Sequence, residues 1–347
     1  MTKIRAIHIG LGKWGFNWAT HVLPGHPDVE VVAHVDRDPA ALERVAGRLG
    51  SRPSKLFTSL DEALATTESD AVIVTVPIAL HEPLARQALE AGKHVVVEKP
   101  FAATLKEAQG LVQLAEARKL VLAVSQNYRF YPASRMAAEL AHAGYLGKLG
   151  TIKVDFRRNA FAERSGNLLV PNPMFADMAV HHFDLMRMVI GEDPIEITGR
   201  TWNPTGSPYQ MDPAGAAVLT FPGGAVVSYR GSWLDMGPQT AWAGEWQMDF
   251  ERGSVLWTSR GEQPWQTKRD RVQIQRPNAQ IEEIELPTMP LYDRSGVLAA
   301  FAQTIRTGVE PLFFPSGRTN VSTLAIVEAS LKSAASGGAS VRLDSLD

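Results

Sequence analysis

Short apolar runs rich in Val and Ile, at 4–9, 29–35, 71–76, 94–97 and 120–124, alternate with amphipathic stretches at 17–22, 39–49, 60–65, 81–90 and 105–118. Continuous β-branched runs of that length suit strands covered on both faces, and the stretches between them carry helical periodicity. Strict alternation implies parallel βαβ units with right-handed crossovers, and so a doubly wound α/β domain over 1–125. Beyond residue 126 the texture changes. Runs at 216–221 and 225–233 flank Pro222-Gly223-Gly224, and runs at 246–250 and 254–258 flank Glu251-Arg252-Gly253, both hairpin patterns. Six of the eight Trp fall within 202–265, where aromatic side chains suit a half-buried sheet. Two helical patterns, 295–306 and 318–335, close the chain. The expectation for 126–347 is an α+β domain: a large, mostly antiparallel open sheet with helices on one side.

Composition narrows the function. The chain has 347 residues, 45% hydrophobic and 21% charged, a length that suits two domains. The absence of Cys excludes disulfides, Cys-ligated zinc and a thiolate nucleophile. With 35 basic against 37 acidic residues there is no electrostatic footprint for nucleic acid. Arg5 and His8 interrupt the first apolar run, which rules it out as a signal peptide, and no stretch has the length of a membrane span. A cytoplasmic protein is expected.

Gly10-Leu11-Gly12-Lys13-Trp14-Gly15 lies between the first strand and the following helix. In that setting one glycine makes the tight turn, the next admits a pyrophosphate to the backbone, and the third lets helix pack on strand. Asp36 ends the second strand, 21 residues past Gly15, where a carboxylate accepts both ribose hydroxyls of an adenosine and repels a 2′-phosphate. NAD is therefore favoured over NADP, although Arg37 can hold a 2′-phosphate if Asp36 swings away.

No Gly-x-Ser-x-Gly elbow and no His-Glu-x-x-His occurs. Asp177-Met178-Ala179-Val180-His181-His182-Phe183-Asp184 stands out instead. As a helix it places 177, 181 and 184 on one face and 178, 182, 185 and 189 on another, so Asp177 lies one turn from His181 and can orient its imidazole. His182, on the apolar stripe, reads better as a core histidine than as a ligand. Glu98-Lys99-Pro100 follows the strand at 94–97. In open α/β sheets ligands bind beyond the carboxyl ends of strands, which aims Lys99 at the cofactor crevice. By spacing alone a strand ending in a charged turn is an equal reading.

These residues resemble the glucose-fructose oxidoreductase, inositol dehydrogenase and rhizopine-catabolism (Gfo/Idh/MocA) oxidoreductases. The resemblance rests on Gly10 to Gly15, Val76-Pro77-Ile78-Ala79-Leu80-His81, Gly92 to Pro100, Asn127-Tyr128-Arg129-Phe130 and Asp177 to Asp184. It implies a Rossmann domain followed by a sheet domain that often mediates dimers or tetramers. Lys99, Asp177 and His181 match the usual catalytic positions. The implied cofactor set is Gly10, Gly12, Lys13, Trp14, Gly15, Asp36, Arg37, Val76, Pro77, His81, Glu98, Lys99 and Asn127, with Glu98 and Pro77 at the nicotinamide end. There are two departures: Val76-Pro77-Ile78 stands where members commonly read Thr-Pro-Asn, and Pro171-Asn172-Pro173-Met174-Phe175-Ala176 replaces a glycine-rich run.

The expected reaction moves a hydride between nicotinamide and a secondary hydroxyl of a sugar, polyol or inositol-like cyclitol, with no metal. His181, oriented by Asp177, is the general base and Lys99 stabilises the developing oxyanion; in some members of the family the lysine takes the proton. Candidate substrate contacts are Lys99, Asn127, Arg129, Arg157, Asn172, Asp177 and His181. Arg158, Arg164, Asn167, His182 and Tyr292 are further polar candidates, and at most one of Arg157 and Arg158 faces the cleft. The partners expected are a small-molecule substrate and further copies of the chain in a homodimer or homotetramer, with neither nucleic acid nor membrane. Two other readings are a cofactor-binding sensor without chemistry, which has no need of a base beside nicotinamide, and an enzyme that recycles tightly held NAD on one substrate.

Overall fold

A computed structural model describes residues 2–50, 55–159, 172–261 and 270–346. The chain divides into two compact units, 1–127 with 294–321 and 128–293 with 322–347. The second unit is therefore not the continuous 126–347 expected from the texture of the sequence. Residues 294–321 return to the first unit, a long-range assignment that local periodicity does not carry.

The first unit is built on β1 (Ile4–Ile9), β2 (Val29–Val35), β3 (Lys55–Phe57), β4 (Ala71–Val74), β5 (His94–Val97) and β6 (Leu122–Val124). They form one parallel sheet in the order β3-β2-β1-β4-β5-β6, which reverses direction between β1 and β4. Helices α1 (Lys13–Asn17), α2 (Pro39–Leu49), α3 (Leu60–Thr66), α4 (His81–Glu90) and α5 (Leu105–Ala117) alternate with the strands. Leu11 and Ala19 pack against Ala41, Leu42 and Val45 of α2. Local chemistry sets the helix starts: Asp38 accepts from the Ala40 N–H, and Thr104 and Glu107 make a reciprocal capping box. α1 starts earlier than the expected 17–22 and runs into a π-helical turn at Trp18–Val22; Gly15, a poor helix former, masks that start in the sequence. β3 was not anticipated, being a three-residue edge strand.

The second unit holds α6 (Pro132–His142), β7 (Leu149–Arg157), α7 (Ala179–Ile190), β8 (Glu196–Trp202), β9 (Ala214–Thr220), β10 (Val226–Ser232), β11 (Glu245–Phe250), β12 (Gly253–Thr258), β13 (Arg271–Gln275), β14 (Glu282–Glu283) and β15 (Val341–Arg342). Helix α8 (Asp293–Thr307) lies in the first unit from Arg294 onward, and α9 (Gly317–Ala335) divides between the units after Val321. The nine strands run β14-β13-β12-β11-β7-β10-β9-β8-β15, antiparallel except for the β7–β10 pair. Alternate residues of β10 are buried, giving one core face and one open face. Trp246 and Trp257 are paired in register and stack at 4.6 Å on the core face. Both expected hairpins are present. α6, β8 and β13 to β15 were not anticipated.

Candidate active site

In the first unit the candidate site begins with backbone. Gly10 has φ +93°, and a Cβ there would lie 2.7 Å from Val76 Cγ1; at Gly15 it would lie 1.8 Å from the Gly10 carbonyl oxygen. Fold geometry thus requires both glycines. At Gly12 a Cβ would meet nothing within 4 Å, although a side chain there would stand in the space beside the uncapped start of α1. A glycine that the fold does not need, beside helix N–H groups without a side-chain cap, fits a dinucleotide pyrophosphate. Lys13 and Trp14 are exposed along the same edge.

Asp36 fits the adenosine ribose. Its Oδ2 accepts from the Leu11 N–H at 2.6 Å and its Oδ1 from the Asp38 N–H at 2.9 Å. Two amides hold the carboxylate in place, and swinging it away to expose Arg37 would break both bonds. Thr75, beneath the turn, donates to the Gly10 carbonyl at 2.7 Å and so accepts from His8 Nε2 at 2.8 Å. His8 Nδ1 then accepts from His34 Nδ1 at 3.2 Å. Burial lowers both histidines, His34 to about 4, so this chain of bonds is neutral.

On the other side of β1, Val76 is half-buried and Pro77 to Leu80 are exposed, with Ile78 presenting an apolar side chain. His81 corrects an expectation: it is 1% exposed, its nitrogens face the Pro100 and Val76 carbonyls at 2.8 and 2.9 Å, and burial lowers its pKa. It braces the loops on either side of the β4 and β5 ends rather than offering a ligand atom. Glu98 is buried. Its Oε1 accepts from the indoles of Trp14 at 2.8 Å and Trp18 at 2.7 Å, and its Oε2 accepts from the Lys99 N–H at 3.0 Å. Lys99 is half-buried ahead of a cis bond to Pro100, and Asn127 is buried at the end of this segment. Sequence reasoning missed Trp18 and Arg294; the signal for Trp18 was its i, i+4 spacing from Trp14.

In the second unit the run 177–184 is not one α-helix. A π-helical turn, Pro173–Met178, carries Asp177, and α7 begins after it with His181 in its first turn. Asn172 precedes the turn with φ +44°. Three strands make room for this turn. A Cβ on Gly231 would lie 2.7 Å from the Met174 sulfur, one on Gly215 2.7 Å from Phe175, and one on Gly199 3.3 Å from Phe175.

His181 is buried and stacks on Tyr128 at 4.0 Å with a 1° interplanar angle. Tyr128 also lies under the Arg260 guanidinium, which donates to its hydroxyl. Because the imidazole already occupies one face, the guanidinium must lie against the other. Arg260 adopts φ +59°, an uncommon conformation for a bulky residue. His182 is a core histidine as expected: it donates from Nε2 to the Trp242 carbonyl and accepts at Nδ1 from the Tyr229 hydroxyl, both at 3.0 Å, and burial lowers it to about 4.

Two expected substrate contacts are corrected. Arg129 is buried and donates two 2.6 Å bonds to Asp184, which also accepts from Thr323, so its guanidinium is already committed. Arg157 ends β7 beside Asp155 and Glu245 on the open face of the sheet, away from α7. Arg158 is the inward one of the pair, buried with its guanidinium 4.3 Å over Trp242. Arg164 and Asn167 lie outside the described residues.

Two family models fall on the chain. One, described as an oxidoreductase family with an NAD-binding Rossmann fold, matches residues 4–126, and the GFO/IDH/MocA C-terminal domain matches 134–256. A dTDP-3,4-didehydro-2,6-dideoxy-α-D-glucose 3-reductase of Streptomyces violaceoruber is 28% identical, covering 93% of this chain and 92% of that enzyme. Inositol 2-dehydrogenase of Rhizobium meliloti is 28% identical, but the match spans only 55% of this chain and 56% of the relative. The fold matches an inositol dehydrogenase homologue from Azotobacter vinelandii, solved with NADH and myo-inositol, with a TM-score of 0.83 and 21% identity over 98% of each chain.

Proposed function

Because this chain belongs to the GFO/IDH/MocA oxidoreductases and is an NAD(P)-dependent dehydrogenase, we propose that it oxidises a secondary hydroxyl of a sugar, polyol or cyclitol, and reduces the corresponding ketone in reverse. The observation that carries the assignment of the base is the stacking of His181 on Tyr128, which holds the imidazole in a fixed plane on the first turn of α7. A base fixed in this way is ready for proton transfer.

When bound, NAD supplies the acceptor for the carbinol hydride. His181 takes the hydroxyl proton, Asp177 orients the imidazole, and the Lys99 ammonium hydrogen-bonds the same oxygen and stabilises its negative charge. NAD is the better cofactor because Asp36 is pinned across the position of a 2′-phosphate. The substrate class is supported by the inositol 2-dehydrogenase and the sugar reductase among the relatives. The reading includes work in the cytoplasm and a homodimer or homotetramer formed through the open face of the nine-stranded sheet. Among the described residues no helix is long and apolar enough to cross a membrane.

A spectrophotometric screen of NAD and NADP against inositols, polyols and aldoses tests the proposal. Reduction of NAD by at least one member, faster than reduction of NADP, is expected; a panel that reduces neither coenzyme overturns it.

A further inference from the structure

Glu98 is a buried carboxylate, and the groups around it form a single assembly. Trp14 and Trp18 both donate their indole N–H to Oε1, at 2.8 and 2.7 Å. The guanidinium of Arg294, itself 2% exposed, lies 4.4 Å over the ring of Trp14 and 5.4 Å over that of Trp18, and donates to Asn17 Oδ1 at 2.7 Å. An indole has a positive edge and a negative face. Each tryptophan therefore meets the anion with its edge and the cation with its face, so that Arg294 and Glu98 act on one another through two aromatic rings. Trp14 and Trp18 are four residues apart at the start of the chain, whereas Arg294 arrives with the first turn of α8.

The assembly lies where two parts of the cofactor site meet. Trp14 is 40% exposed, two residues past Gly12, on the edge that fits the pyrophosphate. Glu98 Oε2 accepts the backbone N–H of Lys99. In the strand order, β5 and Asp36 at the end of β2 lie on opposite sides of β1, so the cluster serves the half of the crevice away from the adenosine ribose. We propose that Arg294, acting through Trp14 and Trp18 on Glu98, is a positioning residue for the nicotinamide half of the dinucleotide site. It fixes the end of β5 relative to the glycine turn, so that the pyrophosphate and Lys99 keep a set spacing. This rests on the proposed role of Lys99 at the nicotinamide end.

Calorimetric titration with two probes tests it: NAD, and ADP-ribose, which shares the adenosine, pyrophosphate and second ribose but lacks the nicotinamide. Arg294→Met keeps the stem and removes the cation. Trp14→Phe, at a part-exposed position, keeps a ring for Arg294 and removes one donor to Glu98. In Arg294→Met, NAD affinity should fall about tenfold while ADP-ribose stays within about twofold; Trp14→Phe should show the same selectivity at several-fold. Equal losses for both probes, or no loss for NAD, overturn the inference and make the cluster a packing element. Wild-type protein that binds neither probe overturns the proposed function, and the inference with it.

Discussion

The two units hold their candidate functional residues by different means. In the first, the glycine turn works through backbone, by φ angles and the absence of side chains, and Asp36 is held by the backbone N–H groups of Leu11 and Asp38. In the second, α7 works through side chains, and each has a partner far away in sequence: Tyr128 for His181, Trp242 and Tyr229 for His182, Arg129 for Asp184. A backbone site depends on local sequence, so its failures should be local and sharp. A side-chain site depends on packing, and its failures should spread.

The sharpest contrast lies inside the glycine turn. Gly15→Ala would drive a Cβ into the Gly10 carbonyl at 1.8 Å and should abolish both the turn and nucleotide binding, read as a lowered melting temperature and no NAD titration. Gly12→Ala meets nothing in the protein; it should melt like wild type and still weaken NAD by about tenfold or more, a separation of ligand from fold. In the second unit, Arg129→Met leaves Asp184 buried without its cation and should destabilise by about 3–5 kcal/mol in denaturant titration. Arg157→Ala removes part-exposed ion pairs and should change stability by no more than about 1 kcal/mol, with substrate KM unaltered. An increase in KM there would restore Arg157 to the substrate site.

His181→Ala should lower turnover by about 10²-fold or more while NAD affinity holds, because the lost imidazole belongs to the second unit and the dinucleotide cradle to the first. Near neutrality the smallest effect is that of pH on stability. His34 and His182 are depressed to about 4 by burial, so their neutral forms support the fold at pH 7. That support is present above the unfolded value of about 6.5 and is lost as pH falls toward 4, at a limiting slope of about 1.4 kcal/mol per pH unit for each. Melting curves should show this decline, with proton uptake on unfolding; constant stability over that window would mean the two rings are not buried as described.

Legibility followed the same division. The runs at 4–9, 29–35, 39–49, 81–90 and 94–97 coincide with β1, β2, α2, α4 and β5, because each is a short segment whose pattern and caps are local. The conformational need for Gly10 and Gly15 could be read for the same reason. Arg129 could not: as a polar residue after a strand it suits a substrate contact, and only the tertiary fold brings Asp184 against it. The sequence cannot show that His81 ends between two carbonyls, or that Arg294 comes back to Trp14 from the far end of the chain. Nor does it show that glycines on three strands make the groove seating Met174 and Phe175 before α7.

The most direct test is a crystal structure of the protein with NAD and the substrate identified in the screen. The Lys99 ammonium and a His181 ring nitrogen should both lie within about 3 Å of the reacting hydroxyl oxygen, beside nicotinamide C4. A complex in which either group faces elsewhere, with the hydroxyl held by other side chains, would contradict this.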